Sequence, residues 1–463
     1  MDADGGPESE MLIQSRWMQV GAVLAALTAA PVNSALAQSV SVEPPATSVG
    51  LQVAWLLDVS RRLPISEAEA GQHFSPAFLA AVPLADINAG LAVITGSGLT
   101  LLRYEGTDTR ARSLVSGAGM WLSVVGVDAE GLIAALSISP YLPAPAMWAE
   151  LDLRLAAVAP RTALLAAKIN DGRCELIHGV SPLRAMPLAS AFKLYVLGAL
   201  AHAVQSGAAA WDEPLAIRDD WKSLPSGVFQ TFPPGTTLTL REYANAMISI
   251  SDNTATDHLM GRLGRTRVEA QQLRFGIADH RRNAPFLTTR EIFALKLTDY
   301  PRLARTFERL PSPLQRFFLD TVVDPLPLPP IESLESWTTP RSIDSIEWFA
   351  SATDICRAFA GLDRQASTPG LEPVGEALSL NDGGLWLDSE TWSQTWFKGG
   401  SETGVLTLNY LAHTTHETYV VSAMVNDPSV ELAEIAVFEL LALIRGAFVL
   451  AAGGGPAAEI PFP

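Results

Sequence analysis

Apolar residues recur at helical spacing over residues 192–200 and again over 430–450, which predicts two strongly hydrophobic helices, the first stopping near Gly207. A helical pattern also lies at residues 54–62. Strand-like runs follow at 91–94, 99–104, 120–127 and 132–139, with Asp128-Ala129-Glu130-Gly131 as a hairpin turn. Pro140, Pro143 and Pro145 punctuate the end of this small α+β module. A second module opens with a helix over 147–158 and a hairpin, 163–169 and 174–177, turning through Asn170-Asp171-Gly172. Helical patterns at 240–248 and 255–263 occupy its middle, and strands return at 396–398, 405–412 and 419–425. Strands at both ends of a long helical insertion imply one sheet assembled from sequence-distant parts. The expected organisation is a signal peptide (1–37), a linker (38–50), a small α+β domain (51–145), a larger domain (147–452) and a disordered tail (453–463).

Composition narrows the class. Apolar residues make up 48% of the 463 and charged residues 17%, as in a globular protein. A formal net charge of −17, with no basic stripe to replace phosphate counterions, excludes nucleic acid as a partner. Arg16, an apolar run at 20–30 and Ala35-Leu36-Ala37 before Gln38 read as an export signal whose core is too short to span a bilayer. The mature protein is therefore expected in the periplasm or secreted, without a membrane span after cleavage, acting on a small molecule; a homodimer is compatible with this reading. Cys174 and Cys356 could bridge in an oxidising compartment, but we read them as two buried free thiols. His413 and His416 fall in a turn between strands, and no metal or other cofactor is expected.

The chain holds five lysines, and two of them stand in short motifs. Ser190-Ala191-Phe192-Lys193 opens the hydrophobic helix, where free N–H groups and the positive dipole end favour a developing oxyanion. Lys193 shares the helical face of Ser190, and a desolvated lysine can take the proton of a serine hydroxyl near neutral pH. Read alone, this is an ordinary serine cap followed by a solvated lysine. Two more motifs in order, Ser251-Asp252-Asn253 between two helical patterns and Lys398-Gly399-Gly400 at the end of a strand, change that balance. Ser251-Asp252-Asn253 would otherwise be a helix cap, and Lys398-Gly399-Gly400 a solvated turn in which glycine admits close backbone approach.

Together the three motifs resemble those of the class A β-lactamase and penicillin-binding-protein superfamily of serine hydrolases. The resemblance covers about residues 147–450. It implies an acyl-enzyme at Ser190, Lys193 as general base and Ser251 as proton relay. It also implies Asn253 on the substrate amide, Lys398 with Ser401 on its carboxylate and oxyanion, and Gly400 in the edge strand that aligns it. The fold it implies is α+β: a β-lactamase/D,D-peptidase-like α/β sandwich, its antiparallel sheet flanked by helices. The segments Phe286-Leu287-Thr288-Thr289-Arg290-Glu291 and Arg341-Ser342-Ile343-Asp344-Ser345-Ile346-Glu347-Trp348-Phe349, with the leading module, resemble the two-domain esterase-like branch found in the clavulanic acid biosynthetic cluster. There the leading part looks like a small cone (NTF2/steroid-isomerase-like) without isomerase chemistry, and weak ester hydrolysis on cephalosporins is implied. Three departures stand out. The stretch 275–285 lacks the glutamate of an E-x-x-L-N segment, so slow deacylation is expected. Gly399 replaces the usual hydroxyl residue, and Glu402 puts a negative charge beside the carboxylate site. The alternatives are a D,D-peptidase acting on peptidoglycan stems and a penicillin-binding sensor that acylates and stalls.

Overall fold

A computed structural model describes residues 42–453; the expected signal peptide, the first four residues of the linker and all of the tail beyond Gly453 lie outside the described residues. Within them the chain divides into two compact units between Pro143 and Ala144.

The leading unit has four helices, α1 (Ser48–Val59), α2 (Glu67–His73), α3 (Pro76–Ala81) and α4 (Leu84–Thr95). An antiparallel meander follows: β1 (Thr100–Gly106), β2 (Arg110–Ser116), β3 (Met120–Val127) and β4 (Ile133–Pro140). Its core is its own, built on Val53, Leu56, Phe74, Leu101, Val125 and Ile133. The run at 91–94, expected as a strand, is the last part of α4. Ile87, Leu91 and Ile94 are buried at i, i+4 and i+7, a helical face that a window of four residues cannot reveal. The turn at 128–131 forms as expected, with Asp128 accepting the Leu132 N–H at 2.8 Å.

The second unit begins with α5 (Trp148–Val158) and the hairpin β5 (Arg161–Asn170) and β6 (Arg173–Val180). Its helical insertion holds α6 (Lys193–Gln205), α7 (Leu240–Ser249), α8 (Asn253–Leu263), α9 (Arg265–Phe275), α10 (Thr289–Leu297) and α11 (Ala352–Ala366), among shorter helices. β7 (Gln394–Glu402), β8 (Val405–His413), β9 (Thr418–Asn426) and α12 (Ile435–Ala451) close it. The antiparallel sheet runs β7-β8-β9-β5-β6, so β9 joins β5 across the whole insertion, Val421 facing Ala166. α5 and α12 cover one face through Leu151, Leu155, Leu440, Ile444 and Phe448. The helical insertion covers the other, through Leu194, Leu197, Ile355 and Phe359 among others. Residues 193–201 of α6 are all buried, the behaviour of a helix that is apolar on every side.

Cys174 and Cys356 form a disulfide, against the expectation of free thiols. Packing α11 on the sheet brings their Cα atoms to 6.2 Å, within bridging range, although 182 positions separate them in sequence. Among the described residues no helix is long and apolar enough to cross a membrane.

Candidate active site

Ser190 sits in a 3-10 turn, Ala189–Phe192, that runs directly into α6. The residue before it, Ala189, has φ +42°, in the left-handed region that costs a side-chain-bearing residue energy. The Ala189 N–H donates to Glu347 Oε2 at 3.1 Å. Lys193, one turn on, has no exposed surface. Its Nζ lies 3.1 Å from Ser190 Oγ, 2.5 Å from the Ser251 carbonyl oxygen, 3.0 Å from Ser251 Oγ and 2.7 Å from Asn253 Oδ1. All four partners are neutral oxygens. Burial holds the Lys193 pKa well below that of an ordinary lysine, and the Lys398 charge adds to this, while Asp252 and Asp257 oppose it.

Ser251 follows α7 at φ +58° and aims its hydroxyl at two amines, Lys193 at 3.0 Å and Lys398 Nζ at 3.0 Å. Asp252 turns away from them. It caps α8 by accepting the Ala255 N–H at 2.7 Å, and it also accepts those of Val228 (2.6 Å) and Phe229 (2.8 Å). Gly227 leaves room for this contact, because a Cβ there would lie 2.2 Å from Asp252 Oδ2. The Asn253 amide is engaged at both ends: Oδ1 accepts from Lys193 and Nδ2 donates to the Leu224 carbonyl at 2.9 Å. One Nδ2 hydrogen remains for another acceptor.

Lys398 is buried on β7, donates to the Gly399 carbonyl at 2.8 Å, and burial brings its pKa down to about 7. At Gly400 a Cβ would fall 2.2 Å from the Leu188 carbonyl oxygen and 2.7 Å from Ser190 N, so glycine lets the strand lie against the backbone of Ser190. Ser401, next along, is exposed. The structure thus gathers Ser190, Lys193, Ser251, Asn253 and Lys398 into one hydrogen-bonded cluster, with Gly400 and Ser401 on the bordering strand.

Two expectations about charge meet the structure differently. Glu402 is not a free negative charge: both its oxygens lie 2.7 Å from Lys296 Nζ. The stretch 275–285 forms a short 3-10 turn, His280–Asn283, and Asn283 points inward to Gln272 Oε1 (2.7 Å) and the Phe349 carbonyl (2.9 Å). Sequence reasoning missed Lys296, Glu347 and the ring cluster beside Lys193. In that cluster Phe192 stacks on Trp348 with centroids 3.6 Å apart, and Phe286 meets Phe192 edge-on at 5.7 Å. The rarity of lysine was the one signal that could have drawn attention to Lys296.

Residues 155–310 match the model of the β-lactamase enzyme family, and residues 44–133 match a family described as the ORF 12 gene product N-terminal. Among solved structures, a β-lactamase from Sphaerobacter thermophilus is similar at 20% identity and TM-score 0.47, covering 66% of this chain and 98% of its own. A β-lactamase from Chitinophaga pinensis matches at 16% and TM-score 0.45, again over 66% and 98%. The protein PBP-A matches at 17% and TM-score 0.43 over the same shares. No curated protein matches the chain.

Proposed function

We propose that the second unit, whose residues 155–310 match the β-lactamase enzyme family, is a serine hydrolase that forms an acyl-enzyme at Ser190 with β-lactams or related amides and esters. Ser190 Oγ attacks the acyl carbonyl while neutral Lys193 Nζ takes its proton. The C–N or C–O bond of the tetrahedral adduct then breaks, and Ser251 Oγ passes the proton from Lys193 to the leaving atom. The N–H groups of Ser190 and Ser401 receive the oxyanion, Lys398 with the Ser401 hydroxyl faces the substrate carboxylate, and the free Nδ2 hydrogen of Asn253 meets the acyl side-chain amide. The observation that carries this reading is the 3.1 Å approach of an unexposed Lys193 Nζ to Ser190 Oγ.

Deacylation is slow in this reading, since the partners of Lys193 are neutral oxygens and, among the described residues, no carboxylate shares a hydrogen bond with it to activate water. The same observation favours a second reading, a penicillin-binding sensor that acylates and stalls. The disulfide supports placement in an oxidising compartment, outside the cytoplasm. We read the leading unit as a cone-like accessory domain without chemistry of its own.

Intact mass after incubation with benzylpenicillin tests this. Wild type should gain one penicillin and lose it slowly, and Ser190→Ala should gain none. Labelling that survives Ser190→Ala refutes the nucleophile. An adduct that never decays identifies the sensor, whereas turnover of acyl-D-alanyl-D-alanine points to a D,D-peptidase.

A further inference from the structure

Lys296, in the last turn of α10, is fully buried and touches neither Ser190 nor Lys193 through any hydrogen bond. Its Nζ lies 2.7 Å from both oxygens of Glu402 and 3.3 Å from Glu347 Oε1. The far oxygen of Glu347 accepts two backbone N–H groups, those of Ala189 and Trp348, each at 3.1 Å. One ammonium therefore joins a carboxylate hydrogen-bonded to the residue before Ser190 with a carboxylate on the residue after Ser401. Ala189 is also the strained position, φ +42°, a conformation that persists only when its surroundings over-determine it. Between the two anchored points, Gly400 lies against Ser190 N so closely that no Cβ would fit.

We infer that Lys296, Glu347 and Glu402 are positioning residues whose buried ion cluster fixes the spacing of the Ser190 and Ser401 N–H groups at the oxyanion. The inference rests on the reading of Ser190 as nucleophile. A buried ion cluster is poor at adding net stability, because desolvation offsets its Coulomb attraction, and is better suited to holding one geometry. Burial works against every charge in the cluster: it pushes the Glu402 carboxyl well above the usual carboxylate range against the pull of Lys296, yet the two acidic partners keep the Lys296 pKa above that of an ordinary lysine. The ammonium is thus present to clamp both. The aligned N–H pair matters most in the transition state, where charge develops, so its misplacement slows acylation more than it weakens binding.

Glu402→Gln and Glu347→Gln each replace a carboxyl by an amide while keeping an oxygen near Lys296; Lys296→Met removes the clamp, and the glutamine variants carry the test if it fails to fold. Time-resolved intact mass with benzylpenicillin gives k2 and Kd separately, and melting confirms the fold. In the folded variants k2 should fall about tenfold or more with Kd within about twofold. Phenylboronic acid, which places an oxygen at the oxyanion position when bound to a serine, should bind about tenfold more weakly. Folded variants that acylate within about twofold of wild type, or that lose only Kd, overturn the inference. A wild-type protein that takes up neither the penicillin nor the boronate overturns the reading of Ser190, and this inference with it.

Discussion

Burial makes two amines of the cluster unusual. In the proposed reaction Lys193 supplies the base because it is stripped of water, and Lys398, with a pKa of about 7, changes charge in the physiological range. Its ammonium is present below pH about 7 and lost above, so k2/Kd for an anionic penicillin should fall as pH rises through that value. An uncharged ester should not show the fall, and a profile for the penicillin that rises through the same window contradicts the role of Lys398. Gly400→Ala tests the approach of the strand to Ser190. The 2.2 Å and 2.7 Å contacts of the new Cβ are with backbone atoms and must push β7 outward, so the acylation rate should drop about a hundredfold and the second unit should melt at a lower temperature.

At the scale of elements, the start of α10 is held from a neighbouring helix. Asp257 on α8 accepts the N–H groups of Thr289 and Arg290 at 2.8 Å each, and Thr288 with Glu291 completes a capping box. Burial raises the Asp257 pKa to about 7, although these N–H bonds oppose the shift. A carboxyl raised in this way contributes its full stability at low pH and loses it as pH rises through about 7. Asp257→Ala should therefore cost about 2 kcal/mol at pH 5, by urea unfolding, and visibly less at pH 8. A deficit that grows with pH contradicts this account. α10 carries Lys296 at its other end, so the same variant should also slow acylation where the oxyanion clamp operates.

For the whole molecule, the disulfide bears on the second unit alone, since both cysteines of the chain lie there. Reduction, or Cys356→Ala, should destabilise that unit by about 2–4 kcal/mol and leave the melting of the leading unit unmoved. Calorimetry with and without reductant reads both transitions, and a shift of the leading unit's transition counts against two separate cores.

The chain by itself determined the three motifs, their order, the hydrophobic helix behind Ser190 and the strands at both ends of the insertion, because these are written in local spacing. It left α4 misread, since four consecutive apolar residues fit either period, and it left the leading strand β2 unnoticed, where arginine and serine interrupt the apolar run. Only the tertiary structure decided that Cys174 meets Cys356 and that Glu402 pairs with Lys296 from 106 positions away. Each of these depends on which side chains the folded sheet and helices bring within a few ångströms. That information belongs to packing between distant segments and is absent from any local window of sequence.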